Sequence, residues 1–266
     1  MQYKMIVLDL DDTLLNKEHC ISHQTIDTLE LLKSRGVEIV VATGRMYCSA
    51  LPYIKQLGLI GLMITYNGAY IKDVKRDEVI FHQPIELNIA REILSEAEEA
   101  DLYTNIYIDD KLYVKELGPE SDLYEKISQV DAIPVGKLSE YISEVPTKLL
   151  IVEEDLDKIQ HYRKLFKEKY GDNVEVTESK AFFIEFMAKD VSKGKAIKIV
   201  ADNLNVNLKE IIAIGDSWND IEMIKTAGLG IAMGNAPDGV KKHADMIADT
   251  HDNEGVSNIL ADIFDL

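Results

Sequence analysis

Three carboxylates, Asp9, Asp11 and Asp12, crowd into four residues directly behind the apolar run Met5-Ile6-Val7-Leu8. Like charges held this close are costly unless a proton or a cation intervenes, so the cluster is either solvated surface or part of a site. Asp9 and Asp11 are two apart and share a face wherever the backbone is extended. Two further apolar runs end in the same way. Residues 37–42 close on Thr43-Gly44-Arg45, and residues 210–214 close on Gly215-Asp216-Ser217-Trp218-Asn219-Asp220. A lysine, Lys193, opens the segment that leads into the last of these runs. A carboxylate nucleophile, a hydroxyl and an ammonium for phosphoryl oxygens, and several carboxylates for a hard cation together make a phosphoryl-transfer site. Taken singly, Thr43 reads as a turn residue, Lys193 as a solvated charge and Asp216 as a helix cap. Repetition at successive run ends is what those ordinary readings do not produce.

The elements that must position these groups follow from hydrophobic pattern. A continuous apolar run predicts a strand covered on both faces, as in a parallel sheet, and ligands of open α/β sheets collect beyond the carboxyl ends of the strands. Residues 22–34 predict a helix with Ile26, Leu29 and Leu32 on one face, Ser22 as its N-cap and Gly36 as its stop. A helix through about residue 57 and a strand over 62–66, closing on Asn67-Gly68, extend the alternation, which predicts right-handed crossovers. From about residue 81 the texture changes. A Glu-rich helix over 88–100 is followed by short segments at 105–107 and 111–114 that read as antiparallel strands. A strand at 147–152, a helix at 156–170 and strands at 174–177 and 182–186 complete the block. The doubly wound pattern resumes with a helix over 191–204, the strand at 210–214, and short strands at 229–233 and 246–248. The expected fold is therefore α/β, a doubly wound parallel sheet built from residues 1–82 and 190–266, with a smaller α+β domain of residues 83–189 inserted.

Composition narrows the function. Of 266 residues, 46% are hydrophobic and 29% charged, and the net charge is -18. That balance argues against nucleic acid or an anionic membrane as partner, while a small anionic substrate stays open if a bound cation changes the local field. Cys20 and Cys48 have no paired spacing, so neither a disulfide framework nor a Cys-based zinc site is expected. His19 and His23 are four apart, but the helix starting after Ser22 separates their faces. Gly228-x-Gly230 lacks the third glycine of a dinucleotide fingerprint, since Met233 stands there. No run reaches membrane-spanning length and the N-terminal run is too short for a signal peptide, so a cytoplasmic protein is expected.

The chain resembles the haloacid dehalogenase superfamily of phosphatases, and within it the Cof-type sugar-phosphatase-like branch with a cap inserted between its second and third motifs. The resemblance spans essentially the whole chain. Asp9-Leu10-Asp11-Asp12-Thr13 matches the first motif, Thr43-Gly44-Arg45 the second, Lys193-Gly194 the third and Gly215 to Asp220 the fourth. Asn67-Gly68-Ala69 and Asn253-Glu254-Gly255-Val256 also look like this branch. The resemblance implies that Asp9 attacks phosphorus to form an aspartyl-phosphate. Asp11 then protonates the leaving oxygen and later deprotonates the hydrolytic water. It implies Mg²⁺ held by the Asp9 and Asp216 carboxylates and the Asp11 carbonyl, with Asp220 as outer support. Thr43 and Lys193 would bind phosphoryl oxygens, with Gly44, Asn67 and Asn219 beside the substrate. Where the family usually has Gly, this chain has Asp12, which tolerates turn geometry and is read as shaping the bend.

The implied activity is a Mg²⁺-dependent phosphatase of small phosphorylated metabolites. Sugar phosphates are the first expectation, and flavin mononucleotide, pyridoxal phosphate and nucleotides are alternatives. Specificity would reside in the insertion, and the protein would be a monomer or weak homo-oligomer with no nucleic-acid or membrane partner. Three rivals are distinguishable. A phospho-acceptor module needs only about a hundred residues and leaves the insertion unexplained. A sugar phosphomutase would release an isomerised sugar phosphate, and a binding protein without turnover would have no use for Asp11.

Overall fold

The computed structural model describes residues 3–178 and 180–266. The chain opens with β1 (Met5–Leu8), α1 (His23–Ser34), β2 (Glu38–Ala42), α2 (Tyr47–Gln56), β3 (Leu62–Thr65), β4 (Tyr70–Asp73) and β5 (Glu78–His82). Its middle carries α3 (Leu87–Glu99), β6 (Tyr103–Ile108), β7 (Lys111–Val114), α4 (Pro119–Ser128), β8 (Ala132–Pro134), α5 (Leu138–Tyr141), β9 (Lys148–Val152), α6 (Leu156–Tyr170), β10 (Val174–Thr177) and β11 (Phe183–Ala188). It closes with α7 (Lys193–Leu204), β12 (Ile211–Gly215), α8 (Ile221–Thr226), β13 (Leu229–Ala232), α9 (Asp238–Lys241), β14 (Met246–Ile247) and α10 (Gly255–Phe264). The chain divides into two compact units, one of residues up to Gly44, Ala50–Phe81 and Ser192–Leu266, the other of Arg45–Ser49 and His82–Val191.

In the first unit the strands form one sheet in the order β14-β13-β12-β1-β2-β3-β4-β5. β1 lies at its centre, parallel to β12 and β2, with Leu8 level with Ile214 on one side and Val41 on the other. The apolar runs follow from this position, because a central parallel strand has no face left for water. On one face Met5, Val7, Val40, Ala42, Ile211 and Ala213 pack against Ala196, Ile197, Val200 and Ala201 of α7. Full burial of one such aliphatic side chain contributes about 1.5–3 kcal/mol. β4 runs antiparallel to β3, a reversal beyond Asn67 that the apolar pattern does not announce.

The second unit is a six-stranded sheet in the order β10-β11-β9-β6-β7-β8, antiparallel apart from the β7–β8 pair. Alternation along its strands separates two faces. Ile106, Leu149, Ile151, Ile184 and Phe186 point into a core with Ala90, Ile93 and Leu94 of α3 and Ile159 and Phe166 of α6. Asn105, Tyr107, Lys148 and Glu185 occupy alternate positions and are buried as well. There the Lys148 ammonium meets the Glu185 carboxylate at 2.9 Å, and the Tyr124 ring of α4 stands edge-on to Tyr107. The β6–β7 turn is Asp109-Asp110, both with positive φ (50° and 56°), the backbone that a two-residue hairpin requires. The Asp110 carboxylate accepts from the Tyr47 and Cys48 N–H groups at 2.9 and 2.7 Å, capping the start of α2. That contact, with Ser49 Oγ donating to the Ser128 carbonyl, ties the Arg45–Ser49 segment to residues far along the chain.

Candidate active site

Asp9 is the first residue beyond β1, and its N–H still bonds to the Ile214 carbonyl at 3.0 Å. The chain then turns within Leu10–Leu14, closed by a bond from the Leu15 N–H to the Leu10 carbonyl at 2.9 Å. Leu10 and Leu14 are buried, which pins the turn. Asp12 takes the left-handed conformation (φ 55°, ψ 15°), the backbone a glycine would supply most easily. Thr43 stands one residue beyond β2 and Asp216 one beyond β12, so the three sequence-predicted strand ends are neighbours in the order β12-β1-β2. Thr43 is fully buried, with its N–H on the Ile64 carbonyl of β3.

The charges interlock. Lys193, with a side chain 0% exposed, places Nζ 2.5 Å from Asp9 Oδ1 and 2.6 Å from Asp220 Oδ1. It starts α7, whose N-cap Ser192 accepts from the Lys195 N–H. Gly194 makes this reach possible, since a Cβ there would lie 2.7 Å from the Glu222 carbonyl carbon and oxygen. Asp220 uses its second oxygen to accept from the Asp216 and Ser217 N–H groups at 3.0 and 2.9 Å, which sets the Asp216 backbone. With both oxygens committed, Asp220 is a support for Asp216 and Lys193. Asn67 links the remaining residues. Its N–H bonds to the Thr43 carbonyl at 3.0 Å, its Oδ1 accepts from Asn219 Nδ2 at 2.9 Å, and the same oxygen lies against the Gly44 backbone.

Among the described residues, Asp9, Asp216 and Asp220 bring carboxylate oxygens within 4.8 Å of one another; the Asp11 side chain is outside that group. Three carboxylates against one ammonium leave a surplus of negative charge, which shifts the proton affinities of the cluster. Burial raises the Asp9 carboxyl well above its usual range; Lys193 opposes this, while Asp220, Asp216 and Asp11 add to it. Burial, then Asp220 and Asp12, push Asp216 up to about 7. Burial alone would lower Lys193, but Asp220 and Asp9 outweigh it, so the lysine is held protonated. Asp9 and Lys193 thus pull on one proton in opposite senses, and at 2.5 Å the charged lysine is the form the geometry favours. An all-oxygen donor set with excess negative charge fits a hard divalent cation, which would hold Asp9 and Asp216 ionised at neutral pH.

The structure adds two participants that no strand-end pattern marks. Thr13 donates from Oγ1 to Asp216 Oδ1 at 3.2 Å, across 203 residues of sequence. The match of Thr13 to the first motif is visible in the sequence, but its partner is not. Asn235, in the loop after β13, donates from Nδ2 to the Asp12 carbonyl at 2.9 Å. Nothing in a turn sequence such as Gly234-Asn235-Ala236-Pro237 signals that bond.

A family model described as haloacid dehalogenase-like hydrolase matches residues 6–260. Phosphatase YwpJ of Bacillus subtilis is 31% identical, over 97% of this chain and 98% of that protein. The 5-amino-6-(5-phospho-D-ribitylamino)uracil phosphatase YitU of the same organism is 29% identical, over 98% of each. The crystal structure of a haloacid dehalogenase-like hydrolase from Bacteroides thetaiotaomicron superposes with a TM-score of 0.92 at 29% identity, over 98% of this chain and 100% of that one. Among the described residues no helix is long and apolar enough to cross a membrane.

Proposed function

The chain belongs to the haloacid dehalogenase-like hydrolases, and from that premise we propose that it is a phosphoric monoester hydrolase of small phosphorylated metabolites. The observation that carries the reading is the buried Lys193 ammonium between Asp9 and Asp220, with Asp216 alongside at the next strand end. Burying an ion cluster this completely costs desolvation that its own attraction barely repays, so stability is a poor reason for it to exist.

Asp9 attacks phosphorus in line, forming the aspartyl-phosphate as the bond to the leaving oxygen breaks. Asp11, two residues on, gives that oxygen its proton and then takes one from the water that hydrolyses the acyl phosphate. Thr43 and Lys193 hold the non-bridging oxygens, and Lys193 offsets the charge that gathers there in the transition state. Gly44, Asn67 and Asn219 line the approach to them. Mg²⁺ would be held by the Asp9 and Asp216 carboxylates and the Asp11 carbonyl, with Asp220 supporting, and would supply neutralisation that leaves Asp9 ionised. The inserted unit selects the leaving group, with sugar phosphates the first class to examine, then flavin mononucleotide, pyridoxal phosphate and nucleotides. The relative that acts on a phosphorylated ribitylaminouracil supports a polyol-bearing substrate.

The test is phosphate release from a panel of phosphorylated metabolites and p-nitrophenyl phosphate, with Mg²⁺ and with chelator. The expected result is release that needs the cation and is lost in Asp9→Asn. Equal activity in chelator would overturn the cation's role, and an Asp9→Asn protein as active as the parent would overturn the nucleophile.

A further inference from the structure

Asn235 stands outside the acidic cluster, and its side chain joins two backbone groups. Nδ2 donates to the Asp12 carbonyl at 2.9 Å, and Oδ1 accepts from the His251 N–H at 3.0 Å. Backbone groups have fixed polarity, so one amide orientation alone satisfies both, and a short side chain with one donor end and one acceptor end is required. Asn235 is itself firmly mounted. The preceding loop is held by the Met233 N–H on the Gly215 carbonyl and the Gly234 N–H on the Asp249 carbonyl, both at 3.0 Å, and by Lys241 Nζ on the Gly234 carbonyl at 2.6 Å.

What Asn235 grips matters because of where the turn is weakest. Asp12 is in left-handed backbone between two residues that belong to the site, a conformation that Asp tolerates but that costs it more than glycine, so bonds that hold the turn stabilise it. The Asp12 carbonyl is half of the peptide that leads into Thr13, and Thr13 Oγ1 donates to Asp216 Oδ1 at 3.2 Å. Three hydrogen bonds therefore run in series from the His251 backbone through Asn235 and the turn to the Asp216 carboxylate.

We propose that Asn235 is a positioning residue for the cation site: by fixing the Asp12–Thr13 peptide it aims the Asp11 carbonyl and the Thr13 hydroxyl, and so tightens Mg²⁺ binding by Asp9 and Asp216. The inference rests on the proposed reading of those two aspartates as the Mg²⁺ ligands. Groups that orient metal ligands without touching the metal typically change affinity about 10- to 100-fold.

The test uses the full chain with Asn235→Leu, which keeps the volume and removes both bonds, and Asn235→Ala, which removes both bonds and the volume. Mg²⁺ alone is titrated into each without substrate, by calorimetry and by the fluorescence of Trp218, the single tryptophan, two residues from Asp216. The expected result is Mg²⁺ affinity at least about tenfold weaker in both variants. The fall in kcat on p-nitrophenyl phosphate is recovered by raising Mg²⁺, with KM for the ester little changed. A role in packing alone would spare the Leu variant and damage the Ala variant, and that pattern overturns the proposal. So does Mg²⁺ affinity within twofold of the parent in either folded variant; if one fails to fold, the other decides. A parent that neither binds Mg²⁺ nor hydrolyses the ester would instead overturn the proposed function, which separates the two failures.

Discussion

The Lys193 ammonium lies 2.5 Å from the Asp9 carboxylate, and neither side chain has more than a sliver of exposed surface. Removing the lysine leaves Asp9 Oδ1 and Asp220 Oδ1 buried without the ammonium that both accept from. Lys193→Met is expected to lose about 3–5 kcal/mol of stability in chemical unfolding. Its kcat for phosphate release should fall by a factor on the order of a hundred or more. A Met variant within tenfold of the parent would show that Lys193 only neutralises the core. Lys193→Arg should not rescue it, because a planar guanidinium cannot occupy the pocket of a compact ammonium.

Gly194 offers a test by sign. In an ordinary helix, Gly→Ala stabilises by up to about 1 kcal/mol. Here the added Cβ would meet backbone of Glu222 at 2.7 Å, and backbone does not move aside cheaply. Gly194→Ala is therefore expected to destabilise by about 1–3 kcal/mol and to lower kcat, because α7 carries Lys193 at its first turn. An increase in melting temperature would contradict the close approach of α7 and α8.

The buried Lys148–Glu185 pair predicts a contrast between single and double substitution. Lys148→Met strips the buried Glu185 carboxylate of the ammonium 2.9 Å from it, at an expected cost of about 3–5 kcal/mol, whereas Lys148→Met with Glu185→Leu is expected to recover most of it. The pair also sets an alkaline limit. Burial lowers the Lys148 ammonium, but Glu185 and Tyr124 carry it above its ordinary 10.5. Its contribution is thus complete below pH 10.5 and disappears as pH climbs through the higher folded value. Urea midpoints of parent and double variant should converge as pH rises above that point; a gap that widens would give the opposite sign.

Cys48 is expected to be chemically quiet although it is only half-buried. Burial, then the Asp110 charge, push its thiol up to about 12, so almost none is thiolate at neutral pH. Brief iodoacetamide treatment of the native protein, read by mass spectrometry, should label exposed Cys20 and spare Cys48. Asp110→Ala should raise Cys48 labelling and, by uncapping α2, cost about 1 kcal/mol. Comparable labelling of both cysteines in the parent would contradict this environment.

How far the chain can be read in advance depends on whether a residue's partners are local in pattern. Asp9, Thr43 and Asp216 are legible because each closes an apolar run, and central parallel strands must be apolar on both faces. Lys193 is legible through its place at the start of α7. Tertiary pairing hides the rest. Lys148 heads an apolar run and Glu185 interrupts one, so each looks like an edge residue until β9 and β11 are seen to be neighbours. Asn235 bonds to the Asp12 and His251 backbone, which carries no sequence signal. The β4–β5 segment is hidden because its turn, Val74 to Asp77, is charged and lacks a Gly or Pro to mark it.

The parallel pairing of β1 with β12 joins Met5 to Ile211, so the innermost strand of the sheet is translated before every other strand of that sheet and is among the last to be flanked on both sides. At synthesis rates of roughly 5–20 residues per second, one edge of β1 waits about 10–40 s for its neighbour. Its apolar side chains and unpaired amides are a template for other nascent chains during that interval. The inserted residues are translated within it, and a unit with its own core can fold while the edge is still waiting. Translation pauses before residue 211 should therefore increase demand for chaperones, whereas pauses after it should not.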